Sequence, residues 1–182
     1  MTTTLHGWSG RILDVDLTRR RLSERETRPY AERFIGGRGI ATRLYWESVA
    51  AGVGAFDPAN RLIFMTGPLG ATGAQGASRF VVAGKSPMRR PEGFCCGNLG
   101  GFFGPHLKRA GYDGIVISGA ADRPLYLLVE DGRAELRDAA DLWGKGVYAA
   151  AEVLQARHGR KVRYVAAGVA DVPGVARLSA EQ

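Results

Sequence analysis

The sequence has 182 residues, of which 45% are hydrophobic and 24% charged, a globular composition that excludes a disordered chain. It has no apolar run of about 18 residues and no basic-then-apolar start, so we expect neither a membrane span nor a secretory signal. The net charge of +7 favours anionic partners such as nucleic acid, a phosphorylated cofactor or an acidic protein. A basic solvated surface explains the same charge, and both interpretations stay open.

The first third of the chain predicts a hairpin, two helices and a buried strand. Alternating apolar and polar residues over 11–17 predict a strand, and a second short strand is expected near Leu22. Pro29 suits the first turn of a short helix. Apolar residues with helical spacing predict a second helix over 39–52, and the apolar run 61–66 predicts a buried strand.

Two glycine-rich stretches follow, one on each side of a predicted strand. Glycines recur through 67–78 and again through 88–104, and we expect both stretches to be loops. The strand between them is predicted over 79–84. Pro105 is expected at the first position of a short helix, and a further strand is expected over 113–119.

The last third of the chain contains the clearest local signal. Asp131-Gly132 favours a tight type I′ turn between two alternating strands, because both residues tolerate a left-handed backbone. A helix is expected over 145–159 and a last strand over 161–168.

The order of elements in the first third returns in the last third. In both places a hairpin leads to a Gly-x-Gly helix start, at 37–39 and at 144–146, and then to a strand. We therefore interpret 1–182 as a single domain with intertwined repeats at about 10–66 and 113–168. Hairpins mixed with helices predict an α+β fold with mixed β-sheets and an internal duplication, not a doubly wound parallel sheet.

The two glycine-rich stretches are the candidate binding site. Glycines let a ligand approach the backbone closely, and a helix start favours a phosphate. Arg79 offers a guanidinium for bidentate phosphate contact, and Asn98, with Gly100 and Gly101 just before the next helix, offers both donor and acceptor atoms. Two tight connections without a ligand are the alternative explanation of the same glycines.

Other familiar motifs are absent. Residues 84–86 resemble the end of a phosphate-binding loop, but the required upstream glycine is missing. The two cysteines, Cys95 and Cys96, are adjacent, and neither a structural disulfide nor a metal-ligand spacing follows. We expect both to be small buried residues, with a redox role as the alternative, and we expect a cytoplasmic protein. The chain cannot ligate an iron–sulfur cluster with its own cysteines.

Six segments of the sequence, in this order, carry a resemblance to a known family: GRILDVDLTRRRL, FIGGRGIATRLYWE, LIFMTGPLGATGA, SRFVVAGKSP, NLGGFFGPHLKRAGYDGIVISGAADRPLYLLVEDG and LRDAADLWGKGVY. From about Gly10 to about Val169 the sequence is similar to the N-terminal domain of tungsten-containing aldehyde ferredoxin oxidoreductases. NLGGFFG followed by KRAGYDGIVI is the most specific of these segments.

The resemblance implies an α+β domain that forms the base for a tungsten (or molybdenum) bis-pterin cofactor. A magnesium ion bridges the phosphates of the two pterins. Arg79 matches the arginine that contacts these phosphates, and Asn98 matches the residue whose backbone carbonyl helps to hold the magnesium. Leu99, Gly100 and Gly101 adjoin it and complete the expected cofactor-binding set. The implied reaction converts an aldehyde and water to a carboxylic acid.

The same resemblance implies partners for this chain. Electrons leave through a [4Fe–4S] cluster to ferredoxin, and the cluster cysteines and catalytic groups lie outside this sequence, on further domains or a partner subunit. We therefore expect the chain to be inactive by itself. We also expect an exposed apolar surface, to which Trp46, Phe102 and Phe103 are candidate contributors, although each also suits a core.

Three readings of the function stay open. The chain is the cofactor base of an aldehyde-oxidising enzyme, or a non-catalytic remnant or accessory subunit of the same fold. From another class, it is a basic nucleic-acid-binding module, which needs a concentrated basic patch that the dispersed lysines and arginines do not form.

Overall fold

The computed structural model describes residues 5–168 and 177–180 as ten strands and four helices. The strands are β1 (Arg11–Asp16), β2 (Arg21–Glu26), β3 (Arg61–Met65), β4 (Phe80–Ser86), β5 (Gly93–Leu99), β6 (Gly114–Ser118), β7 (Leu125–Glu130), β8 (Arg133–Asp138), β9 (Val165–Gly168) and β10 (Arg177–Ala180). The helices are α1 (Arg28–Phe34), α2 (Gly37–Ser48), α3 (Phe103–Arg109) and α4 (Val147–His158). In the described residues, no helix is both long and apolar enough to cross a membrane.

A six-stranded mixed sheet is the centre of the fold. Its strand order is β2-β1-β6-β3-β4-β5. Strands β1 and β6 are parallel, and the other neighbours are antiparallel. The pairs β7–β8 and β9–β10 form two further two-stranded sheets. This arrangement confirms the predicted α+β class with mixed sheets.

Each face of the central sheet has its own apolar cluster. Helices α1 and α2 cover one face, where Ile40 and Leu44 of α2 pack with Ile63 in the first apolar cluster. On the other face, Leu127 and Leu136 of the β7–β8 hairpin pack against the second apolar cluster, which contains Phe80. Burial of side chains of this size contributes about 1.5–3 kcal/mol each, so both covering layers are held mainly by apolar contact.

A buried ionic group ties the start of the chain to this sheet. The Asp113 carboxylate is fully buried and accepts hydrogen bonds from the backbone N–H groups of Ser9 and Gly10 and from Thr27 Oγ1, at 2.7–2.8 Å. Lys108 on α3 lies 3.8 Å from the same carboxylate and donates to the carbonyl oxygen of Gly67 at 2.8 Å. The first glycine-rich loop is thereby fixed to α3.

The structure corrects one expected loop. Residues 93–99, predicted within a glycine-rich loop over 88–104, form strand β5 and pair along their length with β4. The reason lies in tertiary structure. Strand β5 pairs with an edge of β4 that would otherwise be unpaired, and Phe94 and Cys96 pack against the first apolar cluster. Cys95 and Cys96 were both expected to be buried, but Cys95 is exposed and Cys96 is half-buried.

Several helix and strand boundaries also differ in detail from the predicted ones. Helix α2 begins at Gly37 and ends at Ser48, because Val49 has an extended backbone (φ −124°, ψ 115°). Helix α3 begins at Phe103, so Pro105 is its third residue and not its first. Strand β4 begins at Phe80, one residue after the predicted start.

The predicted duplication is not decided by this architecture. A hairpin, a helix and a strand do follow one another twice, as β1–β2, α2 and β3, and as β7–β8, α4 and β9. The first hairpin belongs to the six-stranded sheet, whereas the second forms a sheet of its own. The repeats at about 10–66 and 113–168, and the single domain 1–182, therefore stay predictions.

The three aromatic residues proposed for an exposed apolar surface differ in their exposure to solvent. Trp46 is 79% exposed. Phe103 packs against Phe64 and Phe80, with ring centres 6.2 and 5.1 Å apart, and so belongs to the core. Phe102 is half exposed.

Candidate functional site

The candidate site lies where β4 begins and β5 ends, at one edge of the central sheet. Asn98 lies opposite Val81 across the β4–β5 pair, and Leu99 lies opposite Phe80. Successive side chains of a strand point to opposite faces. Leu99 packs with Phe80 in the second apolar cluster, whereas Val81 belongs to the first. Asn98 therefore lies on the face that α2 covers, and it is exposed.

Arg79 immediately precedes β4 and is exposed. Within the described part of the chain its guanidinium has no hydrogen bond or ion pair, unlike Arg25, which pairs with Asp14, and Arg11, which pairs with Glu24. All five N–H donors of Arg79 are thus available to an anion. A guanidinium in this state suits a bidentate contact with a phosphate.

The glycines beside Asn98 leave the backbone uncovered. A Cβ atom at Gly97 or at Gly100 would meet no other atom within 4 Å. Gly101 has φ +83°, a left-handed conformation that turns the chain into α3 and that favours glycine. A ligand can therefore approach the main chain at 97 and 100 without displacing a side chain.

The packing of α3 keeps these parts together. A Cβ atom at Gly104 would lie 3.1 Å from the carbonyl oxygen of Ser78 and 3.3 Å from Cβ of Phe80. Helix α3 thus contacts the segment that carries Arg79. Because Gly101 lies just before this helix, Arg79 and the turn at 100–101 are brought to the same end of the β4–β5 pair.

The first turn of α2, which was not predicted to be part of the site, lies over the same face of the sheet as Asn98. Gly37 has φ +46°, and its N–H donates to the carbonyl oxygen of Thr66 at 2.8 Å. A Cβ atom at Gly37 would lie 3.7 Å from Cγ2 of Val81, the residue opposite Asn98. Arg38 follows and is exposed. The Gly-Arg-Gly sequence at 37–39 is the feature of the sequence from which this turn could have been predicted as part of the site.

Side chains that could ligate a metal are not gathered anywhere in the described residues. No group of three or more histidine, cysteine, aspartate or glutamate side chains there could hold a metal ion. The thiols of Cys95 and Cys96 are free, and as neighbours in a strand they point to opposite faces of β5. A metal at this site would need backbone oxygens or ligands from a cofactor.

His106, on α3, is a titratable group that follows the turn at 100–101 by five residues. Its pKa lies below the usual value, chiefly because it is partly buried and also because Arg163 and Arg109 oppose a further positive charge. The imidazole is therefore neutral over a wider pH range than an exposed histidine.

Comparison with known families gives the class of this domain. The chain matches the model of the aldehyde ferredoxin oxidoreductase N-terminal domain over residues 12–176. It belongs to this family, as the sequence motifs predicted.

Relatives with curated names agree with this assignment. The chain is 38% identical over 159 residues to the tungsten-containing aldehyde ferredoxin oxidoreductase of Pyrococcus abyssi, covering 86% of this chain and 26% of the relative. It is 37% identical over 146 residues to the WOR-like subunit of an aliphatic sulfonate oxidoreductase of Pyrococcus furiosus, covering 78% of this chain and 23% of that one. The chain thus spans about a quarter of the length of the curated relatives it matches.

A solved structure shares the fold. The active-site complex BamBC of benzoyl coenzyme A reductase, solved with 1,5-dienoyl-CoA, superposes with a TM-score of 0.85 at 33% identity. The match covers 90% of this chain and 25% of that chain.

Proposed function

We propose that this chain is the base domain on which a tungsten bis-pterin cofactor binds in an oxidoreductase acting on aldehydes. The observation that carries the proposal is the exposed Arg79 guanidinium, which has no partner among the described residues, at the same end of the β4–β5 pair as the open backbone of Gly100. An anion with a flat, close-fitting body suits both features. The relatives named for tungsten and for aldehyde oxidation support the choice of this cofactor.

The residues present fit the phosphate end of such a cofactor. Arg79 would donate paired hydrogen bonds to phosphate oxygens. The backbone carbonyl of Asn98 would help to hold a magnesium ion between two phosphates, since hard cations prefer oxygen ligands. Leu99 would keep Asn98 in place through its contact with the second apolar cluster. Gly100 and Gly101 would leave room for the cofactor.

When bound, the cofactor would supply the redox step, in which an aldehyde and water give a carboxylic acid, two protons and two electrons. A [4Fe–4S] cluster held outside this chain would carry the electrons to ferredoxin. The chain's own part in the reaction is to bind and orient the cofactor. His106, neutral at physiological pH, would add no charge near the turn.

Two relatives favour a second candidate that shares the same binding role. One is a subunit of an aliphatic sulfonate oxidoreductase and the other belongs to a benzoyl coenzyme A reductase complex. The chain would then be the cofactor base of an enzyme with another substrate, or an accessory subunit of the same fold. Nucleic-acid binding has less support, because basic side chains such as Arg25, Arg43 and Arg157 are paired with neighbouring carboxylates.

The proposal is tested by isolating the protein from its host together with the polypeptide segments that carry the rest of the enzyme. Tungsten is measured by mass spectrometry and pterin by the fluorescence of its oxidation product. We expect two pterins for each tungsten. A protein that is folded and assembled but holds neither would overturn the proposal and favour the non-catalytic alternative.

A further inference from the structure

A second arginine lies beside the turn at Gly100 and Gly101. Arg163 is in the connection between α4 and β9, and its guanidinium carbon is 5.3 Å from the centre of the Phe102 ring. Phe102 directly follows Gly101 and is half exposed. A guanidinium at this distance over an aromatic face is held by a cation–π contact. The charge of Arg163 is therefore fixed next to the turn.

The hydrogen bonds of Arg163 are incomplete within the described chain. Its Nη1 donates to the carbonyl oxygen of the adjacent Val162 at 3.1 Å. Its Nε is buried and has no acceptor among the described residues. Buried donors in folded proteins are nearly always paired. By contrast, Arg157 on the preceding helix is paired with Asp141. Arg163 thus combines a fixed charge with an unused donor.

The surroundings of Arg163 are electropositive. His106 lies one helical turn after Phe102, and its backbone N–H donates to the Phe102 carbonyl at 3.0 Å. The charges that act on this histidine, Arg163 from the α4–β9 connection and Arg109 from its own helix, are both positive and oppose its protonation. An anion bound near His106 would be attracted by both arginines and would offset their unfavourable effect on the protonation of His106.

We propose that Arg163 is a second cationic contact for the cofactor phosphates at the turn of Gly100 and Gly101. Arg79 precedes this turn in the sequence, and Arg163 follows it. The inference rests on the proposed function, because it assigns one more ligand contact to the same site. Arg79 reaches the start of α3 through the close packing of Ser78 on Gly104, and Arg163 reaches it through Phe102. Two guanidinium groups that come from separate segments of the chain suit a ligand with two phosphates.

The first experiment measures binding of inorganic pyrophosphate to the 182-residue chain by calorimetry. Arg163→Gln removes the charge, and Arg160→Gln is the matched control, because Arg160 is exposed in the same connection. Loss of a charge-assisted contact predicts affinity about tenfold or more weaker for Arg163→Gln. Arg160→Gln should bind as the unaltered chain does. Equal weakening in both variants would mean that only net charge matters and would overturn the inference.

A third variant, Arg79→Gln, separates the inference from the proposed function. Weaker binding in Arg79→Gln with unchanged binding in Arg163→Gln would overturn the role of Arg163 alone. Unchanged pyrophosphate binding in both variants, or no binding by the unaltered chain, would overturn the phosphate site as a whole. Weakening in both variants supports the pair.

A second readout uses the unaltered chain and so does not depend on the folding of a variant. In the unaltered chain, pyrophosphate should raise the pKa of His106, followed by NMR of its ring protons, and should shift the Nε–H resonance of Arg163. A merely structural Arg163 would leave both signals where they are.

Arg163→Lys keeps the charge but loses the planar stacking group, so it should recover part of the affinity. If a folded Arg163→Lys variant recovers none of the pyrophosphate affinity, and the Nε–H resonance of Arg163 in the unaltered chain does not shift, the inference is overturned.

Discussion

Gly104 lies so close to the start of β4 that a Cβ atom on it would be 3.1 Å from the carbonyl oxygen of Ser78. This contact joins α3 to the segment that carries Arg79. We expect Gly104→Val to push the two apart and to lower the free energy of unfolding by about 1–3 kcal/mol, as overpacking does elsewhere. Urea unfolding measures the change, and a fully stable variant would show that the contact can relax.

Gly100→Ala is the matched substitution with the opposite expectation. Open space surrounds this position, so the free energy of unfolding should change by no more than about 0.5 kcal/mol. The added methyl group would nevertheless occupy the surface proposed for the cofactor. Pterin content should therefore fall while the unfolding midpoint stays the same. Normal pterin content in this variant would remove Gly100 from the proposed site.

Tyr112 gives the fold a predictable pH dependence. Its phenol oxygen is 2.7 Å from Glu24 Oε1, and this hydrogen bond, more than the Arg11 guanidinium, lowers the pKa of Glu24 below its usual 4.5. A lowered carboxyl pKa contributes stability that is present above pH 4.5 and is lost as the pH falls through the folded-state value.

Tyr112→Phe should remove that contribution. The variant should be less stable than the unaltered chain at pH 7, by about 1 kcal/mol for the lost hydrogen bond. The difference in the free energy of unfolding should shrink as the pH is lowered from 5 to about 3. Denaturant unfolding at several pH values checks this, with Glu24→Gln as the control. A difference that is constant with pH would contradict the role given to the hydrogen bond.

We expect the 182-residue chain alone to have no aldehyde-dependent activity. It has two cysteines, and its described part has no group of three or more histidine, cysteine, aspartate or glutamate side chains that could hold a metal ion. Reduction of viologen dye by the purified chain with added aldehydes measures this directly. Turnover without any other polypeptide would show that the chain carries catalytic groups which neither its sequence nor its described structure reveals.

Local chemistry explains which parts of the fold were predictable. The turn at Asp131 and Gly132 was, because both residues adopt the left-handed backbone that a type I′ turn requires (φ +46° and +77°). Strand β5 was not, because glycine and asparagine are disfavoured in strands and the pairing depends on the edge of β4. Tertiary structure thus overrode local preference in the segment that carries Asn98.

The site was predictable to a similar extent. Arg79 and Asn98 could be proposed from the glycines around them and from the family resemblance. Arg163 could not, because its place depends on how the α4–β9 connection packs against Phe102. It lies outside the two glycine-rich stretches in which the sequence concentrates the site.

The most direct test of the proposed function is the pterin and tungsten content of the assembled enzyme carrying Arg79→Ala. Loss of the guanidinium removes charge-assisted bonds of about 1.5–3 kcal/mol each, whereas an exposed side chain contributes little to folding. Arg79→Lys should retain part of the cofactor, and Arg133→Ala, at another exposed arginine, should retain all of it. The account predicts an intact fold with at least about tenfold less cofactor in Arg79→Ala. A folded Arg79→Ala enzyme with full pterin and tungsten occupancy would contradict it.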